Sequence, residues 1–203
     1  MRAIHSRNVN EAYVLGMNLL HKHGVREESR VGDALVMPCP VTTTYTHPQE
    51  RVLFNAKRNC NPFFHLMEGL WMLAGRNDVE WIGRYNTSFK KFSDDEITFH
   101  GAYGYRWRNF FKMDQIRKVI NILKTNPKDR RAVIQMWDAA SDLGHEGKDF
   151  PCNLSIAFRN NVGALDITVF NRSNDIIWGA YGANAVHMSM LQEYMASMLD
   201  LNI

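Results

Sequence analysis

The sequence predicts an α+β fold, a mixed or antiparallel sheet with helices packed on one face, and two observations carry this. Asn153 to Arg159 and Leu165 to Phe170 alternate apolar and polar residues on either side of Asn161-Val162-Gly163, the pattern of a hairpin. Several other stretches carry apolar residues three and four apart, the period of a helix with one face buried. Helices mixed with adjacent antiparallel strands place the helices against the sheet.

The elements follow in chain order. Glu11 to Lys22 sets Tyr13, Val14, Met17 and Leu20 at helical spacing, with Gly24 as its stop. Residues 31–54 are short β-leaning pieces broken by Pro38, Pro40 and Pro48. Asn61-Pro62 opens a strong helix through Phe63, Phe64, Met67, Leu70 and Trp71 that ends at Gly75. Asp78 caps a short helix reaching Tyr85, and residues 87–110 read as irregular and aromatic-rich. Asp114 to Lys124 places Ile116, Val119, Ile120 and Leu123 on one face, and Ala132 to Trp137 is an apolar strand-like run. Ala185 to Leu199 closes the chain as a Met- and Leu-rich helix, whose methionines read as core filler.

The bulk numbers exclude several classes. With 203 residues the chain reads as a single domain able to bury a core. Its 24 basic and 21 acidic residues leave a net charge of +3, too mild for nucleic acid as the main partner but suited to a small anionic substrate. No apolar run approaches the roughly 20 residues of a membrane helix, and Met1 to Asn10 lacks an apolar signal core. A cytoplasmic protein with no membrane partner is expected. Cys39, Cys60 and Cys152 are odd in number and form no CxxC pair, so free thiols are expected, with no metal site.

Chemistry-bearing residues gather in local clusters. Arg30 stands beside the turn glycine Gly32, and read alone it is a solvated loop arginine. Asp129-Arg130-Arg131 precedes a strand, where two guanidinium forks suit phosphate oxygens and equally suit a charged surface. Cys152 stands where a loop enters the first hairpin strand, and Arg172 ends the second; a cation near a thiol raises its thiolate fraction. Cys60, just ahead of a helix N-terminus, has a comparable claim. His145 near Cys152 leaves a cysteine hydrolase conceivable, though it accounts for none of the other clusters.

Taken together, Arg30-Val-Gly, Glu68-Gly-Leu-Trp71-Met-Leu-Ala-Gly75, Tyr103-Gly-Tyr-Arg-Trp107-Arg108, Asp129-Arg-Arg131, Pro151-Cys152 and Arg172-Ser-Asn-Asp175 resemble the thymidylate synthases in order and spacing, over about residues 10 to 203. The resemblance implies that family's fold and one-carbon transfer from 5,10-methylenetetrahydrofolate, a cosubstrate, to C5 of a pyrimidine deoxynucleotide. Cys152 matches the nucleophile that adds to C6. Arg172 matches the arginine beside the sulfur that also holds the substrate phosphate, and Ser173 a phosphate-binding hydroxyl. Arg30 resembles a phosphate-loop arginine. Arg130 and Arg131 resemble the pair lent to the neighbouring subunit's phosphate, which implies a homodimer.

Glu68 corresponds to the acid that moves protons around the pyrimidine, and its apolar neighbours Met67 and Leu70 suit that task. Tyr103 resembles a tyrosine that helps proton removal at C5, and Asp175 the aspartate that holds the pterin ring. Asn184 resembles the asparagine that reads the pyrimidine edge when one residue is inserted between Gly179 and Ala183; an ungapped match puts Ala183 there. An amide matches O4 and N3–H of uracil, where cytosine-directed relatives carry aspartate, so dUMP is favoured over dCMP.

The sequence also departs from the family pattern. Asn153 replaces a histidine after the nucleophile, Asp149 a leucine, and Phe89-Lys-Lys-Phe92 a tryptophan-bearing segment, positions that line the folate side of the pocket. Phe89 is accordingly expected on the cofactor wall. A more polar wall admits water to the exocyclic methylene intermediate. The resemblance makes a thymidylate synthase producing dTMP the first expectation, and this wall makes a dUMP or dCMP hydroxymethylase of the phage type, working in host cytoplasm, the alternative. Family chains continue through a His-x-Tyr pair and a C-terminal tail, and neither is found before Ile203. A truncated, non-catalytic nucleotide-binding paralogue is thus a further reading.

Overall fold

In the computed structural model, residues 1–29 and 32–203 are described, and they separate into two compact units. The first comprises Met1–Cys60 and Asp175–Ala185, the second Asn61–Asn174 and Val186–Ile203. Among the described residues the strands form three small sheets, so the mixed pairing expected from the sequence is present but distributed.

In the first unit β1 (Arg2–Ser6) leads into α1 (Val9–His23), followed by the hairpin of β2 (Val25–Ser29) and β3 (Gly32–Val36), then β4 (Val41–Tyr45). β1 and β4 pair in parallel, as a strand, helical crossover and return strand require. Asn8 caps α1 by accepting from the N–H groups of Asn10 and Glu11. The buried face of α1 is Val9, Ala12 and Gly16, a correction to the expected stripe, in which Val14 is more than half exposed. The reason is Gly16: a Cβ there would run into the Tyr181 ring, so the helix presents its smallest residue to its largest neighbour. Gly24 does end the helix, but in an extended conformation rather than a left-handed one. The segment Ile176–Ala183, a wide helical turn broken by a kink at Tyr181 and Gly182, completes this unit, with Arg58 donating to the Ile177 carbonyl at 3.0 Å.

The second unit holds the larger core. α2 (Pro62–Leu73) starts with proline in its first turn and Asn61 accepting from the Phe64 N–H at 3.0 Å. Gly75 follows with φ at +72°, the left-handed backbone that only glycine adopts without strain. α3 (Val79–Gly83) is capped by Asp78, which accepts from the Trp81 N–H at 2.9 Å.

Residues 87–110, expected to be irregular, are so over 93–102 and helical at both ends. A 3₁₀ turn spans Thr87–Phe92, and α4 (Tyr103–Tyr105) runs into a π-helical turn at Arg106–Phe110. Such wide or short turns follow their packing rather than a 3.6-residue period, so no periodic signal marks them. Gly104 lets α4 press onto α2, since a Cβ there would overlap the backbone of Met72.

α5 (Gln115–Thr125) buries Ile116, Val119, Ile120 and Leu123, the stripe expected from the sequence. β5 (Val133–Gln135), the short α6 (Ala139–Asp142), β6 (Asn153–Asn161) and β7 (Ala164–Asn171) follow. The sheet order is β5-β6-β7, antiparallel throughout. α7 (Asn184–Leu199) places Met188, Leu191, Met195 and Ala196 in the same core.

The β6–β7 hairpin turns on Val162 and Gly163 alone, with φ of 51° and 87°. Two successive positive φ values suit a right-twisted hairpin, but a β-branched residue is strained there. Val162→Asn is expected to raise stability by about 1 kcal/mol, read as an increase in Tm. At the other end of β6 the pairing steps from Asn153–Asn171 to Ser155–Phe170, so Leu154 is an extra residue and the strand bulges. The bulge reverses the alternation. Ile156 and Phe158 face the core, and Asn153, three residues before Ile156, is fully buried as well.

Candidate active site

The second unit brings Cys152, Arg172 and Tyr103 together. Cys152 immediately precedes β6 and is half-buried. Arg172 immediately follows β7, and the hairpin register lays it beside the cysteine. Its N–H donates to the Cys152 carbonyl at 3.0 Å, and its Nε donates to the Pro151 carbonyl at 3.1 Å. The guanidinium also stands 5.5 Å from the centre of the Trp137 ring, a cation–π partner with no sequence signal of its own. Pairing of β5 with β6 places Trp137 here, its N–H donating to the Leu154 carbonyl at 3.1 Å.

Tyr103 opens α4 and reaches the same place. Burial pushes its phenol pKa well above the ordinary value, the nearby Cys152 adds to the shift, and hydrogen bonding with Asn153 and the Cys152 backbone opposes it. The phenol is therefore protonated at neutral pH. Asp149 is tied to the same segment, accepting from the Gly101 N–H at 2.8 Å. Burial raises the Asp149 pKa, against the lowering effect of that bond. The contact between Tyr103 and the buried Asn153 amide is a loose hydrogen bond, short of good geometry at both amide atoms.

Glu68 lies on the buried face of α2, and its Oε2 is 3.0 Å from Nε2 of His187 on α7. Sequence reasoning missed His187. An isolated histidine in a Met-rich helix reads as core, and nothing local links it to a glutamate on another helix. Phe89 sits in the 3₁₀ turn and packs edge-on against Phe64, Phe92 and Phe99, with ring centres 5.2 to 6.0 Å apart.

Arg130 and Arg131 lie elsewhere in the second unit. The Ala132 carbonyl accepts from the Phe158 N–H, so Arg130 and Arg131 enter the sheet six residues along β6 from Cys152. That is roughly 20 Å at about 3.3 Å per residue, and the structure does not bring the pair to the cysteine within the chain. Arg131 grips Asp129 with Nε at 3.0 Å and Nη2 at 2.7 Å. That grip, with the Arg131 N–H, holds the Asp129 carboxyl down to about 2. Ser173 is exposed just beyond Arg172.

In the first unit, Asp175 caps the Ile176–Ala183 turn, accepting from the N–H groups of Ile177 and Trp178 at 2.8 and 2.7 Å. Asn184, also in the first unit, is the first residue of α7. Arg30 lies outside the described residues. Cys60 packs against the small core of the first unit. Among the described residues no cluster of His, Cys, Asp and Glu is arranged to hold a metal, and no helix is long and apolar enough to cross a membrane.

Comparison with known proteins bears on this arrangement. The sequence pattern of the family described as thymidylate synthase matches residues 11–203. A deoxyuridylate hydroxymethyltransferase of Pseudomonas phage M6 is 57% identical over 197 residues, 97% of this chain and 56% of that protein. One of Bacillus phage SP01 is 39% identical over 175 residues, covering 81% of this chain and 46% of the relative. One of Delftia phage PhiW-14 is 28% identical over 204 residues, 95% of this chain and 56% of the relative. The chain thus spans about half the length of the curated relatives it matches. With the family pattern extending over nearly all its residues, the chain belongs to the thymidylate synthase family.

Proposed function

We propose that this chain carries the nucleotide chemistry of a deoxyuridylate hydroxymethyltransferase, moving a one-carbon unit from 5,10-methylenetetrahydrofolate to C5 of dUMP. The observation that carries this reading is the 57% identity to the phage M6 enzyme over nearly the whole chain. Of the two products raised by the sequence, hydroxymethyl is favoured over methyl. Asp149, a carboxyl group beside Tyr103 and the Cys152 loop, supports that choice, because it places a polar side chain where the methyl-forming relatives carry leucine.

The chemistry follows from the uracil ring, whose C5–C6 double bond is conjugated with the C4 carbonyl. The Cys152 thiolate bonds to C6, the π pair moves toward O4, and C5 becomes a carbon nucleophile. Arg172 places positive charge beside the sulfur and, with Ser173 and Arg30, meets the substrate phosphate. Tyr103 takes part in removing the C5 proton, and Glu68 moves protons at the carbonyl. Asn184 reads O4 and N3–H.

The folate supplies the one-carbon unit when bound. Phe89 and the half-exposed Phe92 form an aromatic wall that fits a flat pterin or benzoyl ring, and Asp175 is the pterin's polar partner. Arg130 and Arg131, remote from Cys152 along the sheet, are assigned to the phosphate of a second copy in a homodimer. The enzyme is assigned to the cytoplasm, that of the host for a phage protein, with no nucleic acid, membrane or metal among its partners.

Mass spectrometry of the products from purified protein, dUMP and methylenetetrahydrofolate tests the reading. A hydroxymethyl-dUMP mass, with dCMP left unchanged, is expected. A dTMP mass would transfer the chain to the thymidylate synthases proper. Nucleotide binding without any product would favour a non-catalytic paralogue.

A further inference from the structure

Among the described residues, buried side-chain atoms without a hydrogen-bond partner are confined to Glu68, Ser141, Asn153 and His187. Two of these atoms face each other. Glu68 Oε2 and His187 Nε2 stand 3.0 Å apart, yet at an angle that makes no hydrogen bond. A buried polar group in that state costs free energy, and function is a recurrent reason for its persistence.

The pair is held by packing. Gly69 has no side chain to hold α7 off, since a Cβ there would come within 2.5 Å of Met190 Sδ and 3.7 Å of the His187 ring. His65, one turn earlier on α2, packs edge-on against His187 with ring centres 6.3 Å apart. β6 opens on the amide of Asn153, which exchanges no proton at neutral pH, whereas α7 carries an imidazole at His187.

We propose that Glu68 and His187 form a two-residue proton relay, in which His187 acts through Glu68 to supply and recover the proton used at the pyrimidine carbonyl. As the Cys152 sulfur bonds to C6 and the π pair moves toward O4, the Glu68 carboxyl gives its proton to O4. The His187 imidazolium then passes its Nε2 proton to Glu68 Oε2. When the carbonyl re-forms, the O4 proton returns to Glu68 and the Glu68 proton to His187, so the cycle neither gains nor loses a proton. This inference rests on the dUMP reading above and deepens it.

Release of tritium from C5 of labelled dUMP, with methylenetetrahydrofolate present, provides the test. His187→Gln keeps an amide donor near the Nε2 position but cannot exchange protons. It is expected to lower kcat by about 100-fold or more while KM and dUMP affinity stay within about threefold. Glu68→Gln is expected to cost at least as much, and the double variant to be no slower than Glu68→Gln alone, because two members of one relay fail together. His187→Asn repeats the measurement should the glutamine variant lose its fold by circular dichroism. A His187→Gln kcat close to wild type, or additive losses in the double variant, would overturn the relay while leaving the dUMP reading intact. A wild-type protein that releases no tritium would overturn that reading and the relay with it.

Discussion

Cys152→Ala is expected to lower turnover by on the order of 10⁴-fold or more, the scale seen when a covalent nucleophile is removed, with dUMP affinity nearly unchanged. Alanine removes only the sulfur. The hydrogen bond from the Arg172 N–H to the residue 152 carbonyl and the one from Arg172 Nε to the Pro151 carbonyl both use backbone oxygens, so the arginine keeps its place. Cys60→Ala is the matched control. It alters a thiol packed in the first unit and is expected to leave kcat within about twofold. Steady-state kinetics and a dUMP titration on both variants check the pair. Turnover surviving in Cys152→Ala would remove the covalent mechanism altogether.

Asp142→Ala should have the largest effect on stability, about 3–5 kcal/mol, as when one partner of a buried ion pair is lost. Asp142 and Arg106 are both fully buried. Arg106 Nη1 donates to Asp142 Oδ2 at 2.8 Å and Nη2 to Oδ1 at 2.7 Å, while the Asp138 N–H donates to Oδ2 at 2.8 Å. His100 Nε2 lies 2.7 Å from Oδ1, and Arg106 Nη1 also donates to the Met136 carbonyl at 2.6 Å. Without the carboxylate, a guanidinium is left in the interior with too few acceptors.

Burial alone would push the Asp142 carboxyl up, but the Arg106 and backbone hydrogen bonds, the His100 contact and the Arg106 charge together hold it below the ordinary value. The folded pKa is therefore depressed. The stabilisation is complete above the unfolded aspartate value near 3.9 and is lost as pH falls through the lower folded value. Denaturant unfolding of wild type and Asp142→Ala should converge in strong acid, and curves that stay parallel there would contradict this account.

The ion pair also shows where sequence reading stops. α2, α5 and the β6–β7 hairpin were legible because caps, a proline in the first turn and regular apolar periods are local signals, and the structure repeats them at Asn61, Asp114 and Gly163. The face of α1 was not legible, since burial of Gly16 is dictated by Tyr181 rather than by anything within the helix. Cys152 and Arg172 were placed together by hairpin reasoning. Their family roles came from the resemblance, since local physics gave Cys60 an equal claim. The approach of Glu68 to His187 joins two helices distant in sequence, and neither residue is unusual among its own neighbours.

The two-residue turn of the β6–β7 hairpin fixes the pairing of the two strands, and that pairing runs to Asn153–Asn171, where the cysteine and the arginine emerge side by side. Nine residues separate Val162 from Asn153, roughly 30 Å at about 3.3 Å per residue, so the turn works as the pivot of a pair of tongs whose jaws are Cys152 and Arg172. An insertion at the pivot leaves every residue at the jaws unchanged and still throws them out of alignment, because a slip of one position swaps the two faces of a strand. Variation at a remote, solvent-washed loop would then present itself in the laboratory as a defect at Cys152.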